Sequence, residues 1–138
     1  MKKDDCIFCK IANGEIPSTT IYENEEFRVF FDINPASKGH CLIVPKEHYS
    51  NIFDIDKETA GRLFSLATVV AGSLKKELNC EGINIVQNNG EIAGQTVFHF
   101  HLHLIPRYTG DTVNVGWQPG QADMEELAEL AGAVRRNM

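Results

Sequence analysis

The segment His99-Phe100-His101-Leu102-His103-Leu104 alternates imidazole and apolar side chains without a break, and no other feature constrains the fold as much. Successive side chains of a strand face opposite sides. The pattern therefore predicts a strand over about Thr96 to Ile105, with Phe98, Phe100, Leu102 and Leu104 anchored in a core and three imidazoles on the other face. A solvated face would more often carry Thr, Lys or Glu, so three histidines in a row point to chemistry or metal binding. At roughly 3.3 Å per residue, His99 and His103 lie about 13 Å apart along such a strand. That is too far for three nitrogens to meet at one small ion, so the three divide their duties. A neutral imidazole attacks phosphorus well when one ring nitrogen carries the proton and the other is aimed at the target, and the central His101 is best placed for that. The other two histidines, His40 and His48, flank a second apolar run, His40-Cys41-Leu42-Ile43-Val44.

The loop Asn88-Asn89-Gly90-Glu91-Ile92-Ala93-Gly94-Gln95-Thr96 enters the histidine segment. Gly94 permits close backbone approach, and Thr96 adds a hydroxyl and an N–H, which together suit an anion cradle. Elsewhere, Thr19-Thr20-Ile21-Tyr22 and Phe27-Arg28-Val29-Phe30-Phe31 read as a hairpin, and the run from His40 to Val44 as a strand stopped by Pro45. Leu63, Leu66, Ala67, Val70, Leu74 and Leu78 recur at three and four residue steps, predicting a long amphipathic helix capped by Asp56. A fourth strand follows over Gly82 to Gln87, and a tail helix over about Ala122 to Arg136. Strands grouped around one long helix predict an α+β fold with a mostly antiparallel five-stranded sheet.

A chain of 138 residues with 43% hydrophobic and 23% charged residues is expected to form one domain over residues 1–138. With 13 Lys+Arg against 19 Asp+Glu and no basic run, a nucleic acid polymer is excluded as a partner, whereas a pocket for a small phosphorylated molecule is not. No apolar stretch approaches a membrane span and no signal-peptide core follows the first lysines, so a cytoplasmic protein with no membrane association is expected. Its cysteines, Cys6, Cys9, Cys41 and Cys80, then read as free thiols or metal ligands. Cys6-x-x-Cys9 has no strand before it, against a thioredoxin-like motif; two more nitrogen or sulfur ligands would complete a closed tetrahedral site.

Gly94-Gln95-Thr96-Val97-Phe98-His99-Phe100-His101-Leu102-His103-Leu104-Ile105 resembles the motif of the histidine triad (HIT) family. Cys6-Ile7-Phe8-Cys9-Lys10-Ile11, Ile16-Pro17, Phe31-Asp32-Ile33-Asn34-Pro35 and Gly39-His40-Cys41-Leu42-Ile43-Val44-Pro45-Lys46 resemble its Hint branch in bacterial form, over about residues 5–108. Residues 109–138 form the tail, where Gly116-Trp117-Gln118-Pro119-Gly120 is similar to the Hint end that approaches the partner subunit.

The resemblance implies a HIT-like fold, a homodimer, a purine nucleotide or nucleotide conjugate as ligand, and cleavage at the α-phosphate of a nucleoside 5'-phosphoramidate through a nucleotidyl-histidine intermediate. It leaves open hydrolysis of dinucleoside polyphosphates, or nucleotide binding without catalysis. Carried onto this sequence, His101 would be the nucleophile, His103 a phosphate and leaving-group contact, and His40 a support for proton transfer, with His99 completing the catalytic set. Asn88, Gly94, Gln95, Thr96 and Val97 would form the phosphate site, Asp32 would bond the ribose hydroxyls, and Ile7, Phe8, Ile11, Phe30 and Ile33 would hold the base. Relatives with the cysteine pair imply a structural zinc ion on Cys6, Cys9, His48 and His99, with no cofactor needed for the chemistry.

Overall fold

In the computed structural model, which describes residues 2–138, a short helix α1 (Ile7–Ala12) precedes a hairpin of β1 (Thr20–Glu23) and β2 (Phe27–Phe31). Strand β3 (Cys41–Pro45), helix α2 (Lys57–Leu78), β4 (Gly82–Val86), β5 (Leu102–Arg107) and helix α3 (Met124–Arg136) follow. The five strands pair antiparallel throughout, in the order β1-β2-β3-β5-β4. The expected α+β architecture is therefore the one the chain adopts.

Both faces of this sheet are used, for different purposes. Phe27 and Val29 of β2, Cys41 and Ile43 of β3, and Leu102 and Leu104 of β5 pack with Leu63, Ala67, Val70 and Leu74 of α2 in the main core. The intervening residues Phe30, Leu42 and Val44 pack on the other face with Ala12, Phe8 and Ile11 of the α1 region. Helix α2 spans 22 residues but α1 only 6. The second face is thus only partly covered, and His101 and His103 belong to it: His103 lies directly across from Leu42 in the β3–β5 register. Fully burying one Leu of α2 contributes roughly 1.5–3 kcal/mol, so α2 secures the sheet on which the uncovered histidine face rests.

The N-terminus of α2 is capped as the sequence expects. Asp56 caps its N-terminus by accepting from the Thr59 N–H at 2.9 Å, and Lys75 and Lys76 lie in the last turn. Gly39, at φ +91°, enters β3 where a Cβ would collide with Leu78 of that helix. In contrast, α3 has no buried residues, and Leu127, Leu130 and Val134 stand exposed along it. Among the described residues no helix is long and apolar enough to cross a membrane.

One expectation is corrected. The histidine strand does not run from Thr96 to Ile105, because β5 begins at Leu102 and ends at Arg107. The β3–β5 ladder ends at the Ile43–Leu102 pair; Pro45, farther along β3, lacks the N–H that would continue it. Residues 97–101 instead run beside the loop after β3, where the Phe100 N–H donates to the Tyr49 carbonyl at 2.6 Å. Phe98 consequently leaves the core row and is 50% exposed. The α1 helix had no periodic signal to announce it, being a turn and a half long. The β3 strand also includes Pro45, paired with Phe27 of β2.

Candidate active site

Where α1 stops covering the second face, a cavity of about 450 Å3 opens, within the ~300–1,000 Å3 range of small-molecule sites. Ile7, Phe8, Ile11, Phe30 and Ile33 form its apolar side, and Asp32, Thr96, Val97, His101 and His103 its polar side. The structure thus brings these predicted residues together. Ile16, Pro17, Ser18, Phe31, Asn34 and Leu42 also line it. Of these, Ser18 alone carried no sequence signal.

Backbone groups decide which nitrogen of each ring carries the proton. His101 Nδ1 donates to the His99 carbonyl at 2.7 Å, so its Nε2 holds a bare lone pair. The Ala36 N–H donates to His40 Nδ1 at 2.9 Å, which puts the His40 proton on Nε2. That proton is donated to His103 Nδ1 at 2.9 Å, leaving His103 with its N–H on Nε2. The pair of rings lining the cavity therefore offers one nucleophilic nitrogen and one donor, with ring centroids 4.9 Å apart. Asp32 Oδ2 stands 3.7 Å from His40 Nε2, and Phe8 packs edge-on against the His101 ring.

Burial keeps these rings neutral. It lowers the His101 pKa against the pull of the His99 carbonyl. It also brings His103 down to about 4, assisted by the neighbouring His101 and His40 rings. His40 is lowered by burial too, opposed by Asp32.

His99 takes no part in that cavity. It is fully buried, and its Nε2 donates to the Pro45 carbonyl at 2.8 Å, so Nδ1 presents a lone pair to Cys6 Sγ at 3.3 Å and Cys9 Sγ at 3.4 Å. His48 Nδ1 approaches Cys9 Sγ at 3.4 Å. The four donor atoms lie within 4.8 Å of one another. Bonds of ~2.0–2.3 Å in a tetrahedron imply edges of roughly 3.3–3.8 Å, so the donor set fits a zinc-type ion. The Pro45 carbonyl supplies the outer bond that such a histidine ligand needs. Backbone N–H groups of Cys9 and Lys3 already donate to the Cys6 and Cys9 sulfurs, each at 3.3 Å. Burial pushes the Cys9 thiol up, and burial drives His99 down to about 4; a cation among these donors favours the thiolate and the neutral imidazole.

Asp32, His40 and His103 also gather three donor atoms. They do not fit a metal: with Ala36 N–H occupying Nδ1, His40 must keep its proton on Nε2, the atom that would have to bind the ion.

Asn88, Gly94 and Gln95 do not line the cavity. Gly94 turns the loop at φ +98° with the Asn88 side chain beside it. Gln95 is 2% exposed and ties its own loop to the one after β3: its amide donates to the Ser50 and Val97 carbonyls at 2.7 and 3.1 Å and accepts from the Gly90 N–H at 2.8 Å. Sequence reasoning missed Ala36, the Pro45 carbonyl and the His99 carbonyl as determinants of the site. Backbone groups carry no residue-type signal.

A sheet closed on one face by a long helix and lined on the other by alternating histidines is the architecture of the HIT domain, whose family model matches residues 13–110, and the chain belongs to that family. It is 40% identical over 126 residues to a yeast (Saccharomyces cerevisiae) protein named adenosine 5'-monophosphoramidase, covering 91% of this chain and 77% of the relative. A crystal structure of a HIT family protein from Bacillus anthracis superposes with a TM-score of 0.93 at 44% identity, covering 98% of both chains. A Zn-bound histidine triad family protein from Mycobacterium smegmatis superposes with a TM-score of 0.76 at 37% identity, covering 94% of this chain and 97% of that one.

Proposed function

We propose that the protein hydrolyses nucleoside 5'-phosphoramidates of purine nucleosides. The observation that carries the reading is the bare Nε2 of His101, oriented by the His99 carbonyl, in a cavity lined by an apolar side that would take the base and by Asp32, which would bond the ribose. The phosphoramidase name of the yeast relative supports it. His101 Nε2 forms a bond to phosphorus as the bond to the leaving nitrogen breaks, and the amine departs with one proton drawn from the His40–His103 pair. Water then attacks the nucleotidyl-histidine, returns that proton to the pair, and releases the nucleoside monophosphate with His101 neutral again. Thr96 and Val97 hold phosphoryl oxygens beside His103 Nε2–H, while Asn88, Gly94 and Gln95 shape that loop from behind.

Zinc on Cys6, Cys9, His48 and His99 belongs to the same reading, as architecture that fixes α1 to the histidine segment. So does a homodimer: β4 forms an open sheet edge and α3 an uncovered apolar face, and two-fold closure is the common solution. Light scattering at micromolar concentration tests the dimer, and a monomer mass overturns it. The reaction is tested by denaturing mass spectrometry with a slow adenosine phosphoramidate, in which wild-type protein gains one adenylyl mass and His101→Ala gains none. Turnover of diadenosine polyphosphate in preference to adenosine phosphoramidate would reassign the substrate class, and nucleotide binding with neither turnover would leave a binding module.

A further inference from the structure

A second cavity, of about 370 Å3, shares Ile7, Thr96 and Val97 with the first but is lined by neither His101 nor His103. Its other walls are Lys3, Asp5, Cys6, His48, Ser50 and Phe98. Phe98 is the exception in the alternating segment: Phe100, Leu102 and Leu104 are buried, whereas Phe98 is half exposed and belongs to neither core cluster. The backbone bearing it is nevertheless clamped, by the Gln95 amide holding the Ser50 and Val97 carbonyls and by the Phe100–Tyr49 hydrogen bond. A ring held open to solvent by such a frame is a preformed apolar wall. At the same cavity the Lys3 ammonium pairs with no carboxylate among the described residues.

Resting on the reaction proposed above, we propose that this second cavity is the leaving-group subsite. Phosphorus sits at the Thr96–Val97 segment where the cavities meet, with the nucleoside on the histidine side. On the other side lies an amine with an apolar, singly anionic body, packed on Phe98 and paired with Lys3. Asp5 lines the same cavity and disfavours a second negative charge.

The test compares kcat/KM for three adenosine 5'-phosphoramidates, whose leaving groups are ammonia, phenylalanine and phenylalaninamide, in wild-type, Phe98→Ala and Lys3→Gln proteins. The phenylalanine-to-ammonia ratio is expected to fall ~10-fold in Phe98→Ala, the size of a lost apolar contact in a pocket. The phenylalanine-to-phenylalaninamide ratio is expected to fall ~3-fold in Lys3→Gln, as for an exposed ion pair. Lys3 is exposed, so its variant stands even if Phe98→Ala folds poorly. Ratios that stay at wild-type values in the folded variants overturn the subsite. A wild-type protein that turns over none of the three overturns the reaction itself, a separate failure.

Discussion

Two clusters hang from one stretch of five residues and use the same side chain to opposite ends. Around His99, two ring nitrogens and two sulfurs gather within 4.8 Å of one another, a donor set that suits a cation. Around His101 and His103, a chain of donors and acceptors ends with one lone pair and one N–H facing a cavity, a set matched to a phosphoryl group. Residue type does not separate them. What separates them is the backbone group each ring meets: carbonyls of Pro45 and His99 in two cases, and the Ala36 N–H, acting through His40, in the third. The histidine nearest the cysteines therefore serves both clusters, its side chain in one and its carbonyl in the other.

The sharpest way to break that division is to remove one ring from each side. His101→Ala should lower kcat/KM for adenosine phosphoramidate by ~10^4-fold, as when a nucleophile is lost, while elemental analysis still finds zinc. Zinc loss in this variant would show that the clusters are not separable. The reciprocal change, Cys6→Ser with Cys9→Ser, should abolish zinc binding and lower kcat/KM only ~10- to 100-fold, because the damage reaches His101 indirectly through the His99 carbonyl. An activity loss as large as that of His101→Ala would place the cysteines in the chemistry.

The outline of this molecule was legible because it rests on side-chain periodicity: the spacing of Leu63, Ala67, Val70 and Leu74 identified α2, and alternation identified the histidine face. The separate placing of the His99 ring, beside the cysteines, and of the His101 and His103 rings, in the cavity, also followed from distance along an extended chain. The strand limits did not follow, since they depend on where Pro45 ends the β3 ladder and on the Tyr49–Phe100 bond, both set by tertiary pairing. Gln95 shows the same limit inside the site. Its place in the motif implied a phosphate contact, but in the fold its amide is committed to the carbonyls of Ser50 and Val97. Gln95→Ala should accordingly destabilise the protein by about 1–3 kcal/mol, as buried carbonyls lose their donor, and slow the reaction ~10-fold by loosening Thr96 and Val97. Urea unfolding checks this; unchanged stability with weakened nucleotide binding would return Gln95 to direct ligand contact.

The smallest expected effect lies in pH, and its smallness is the point. His103 is held at about 4 instead of 6.5, chiefly by burial, and burial lowers His101 and His40 as well. A base with a lowered pKa keeps its lone pair as the solution is acidified, so the nucleophile stays free below the ordinary imidazole range. An imidazole titrating at ~6.5 would lose about tenfold of its neutral form between about pH 7.5 and 5.5. The expected loss of kcat/KM over that interval is smaller than that tenfold, and a full tenfold acid limb centred near 6.5 would mean that solvent reaches the rings. Stability should follow with a definite sign. Between His103's 6.5 in the unfolded chain and about 4 in the native one, the unfolded chain binds more protons, so its contribution is full above 6.5 and is lost as pH falls through 4. Urea midpoints measured down that range should decline in step, and a flat profile would show that the His103 ring is not sheltered by the fold.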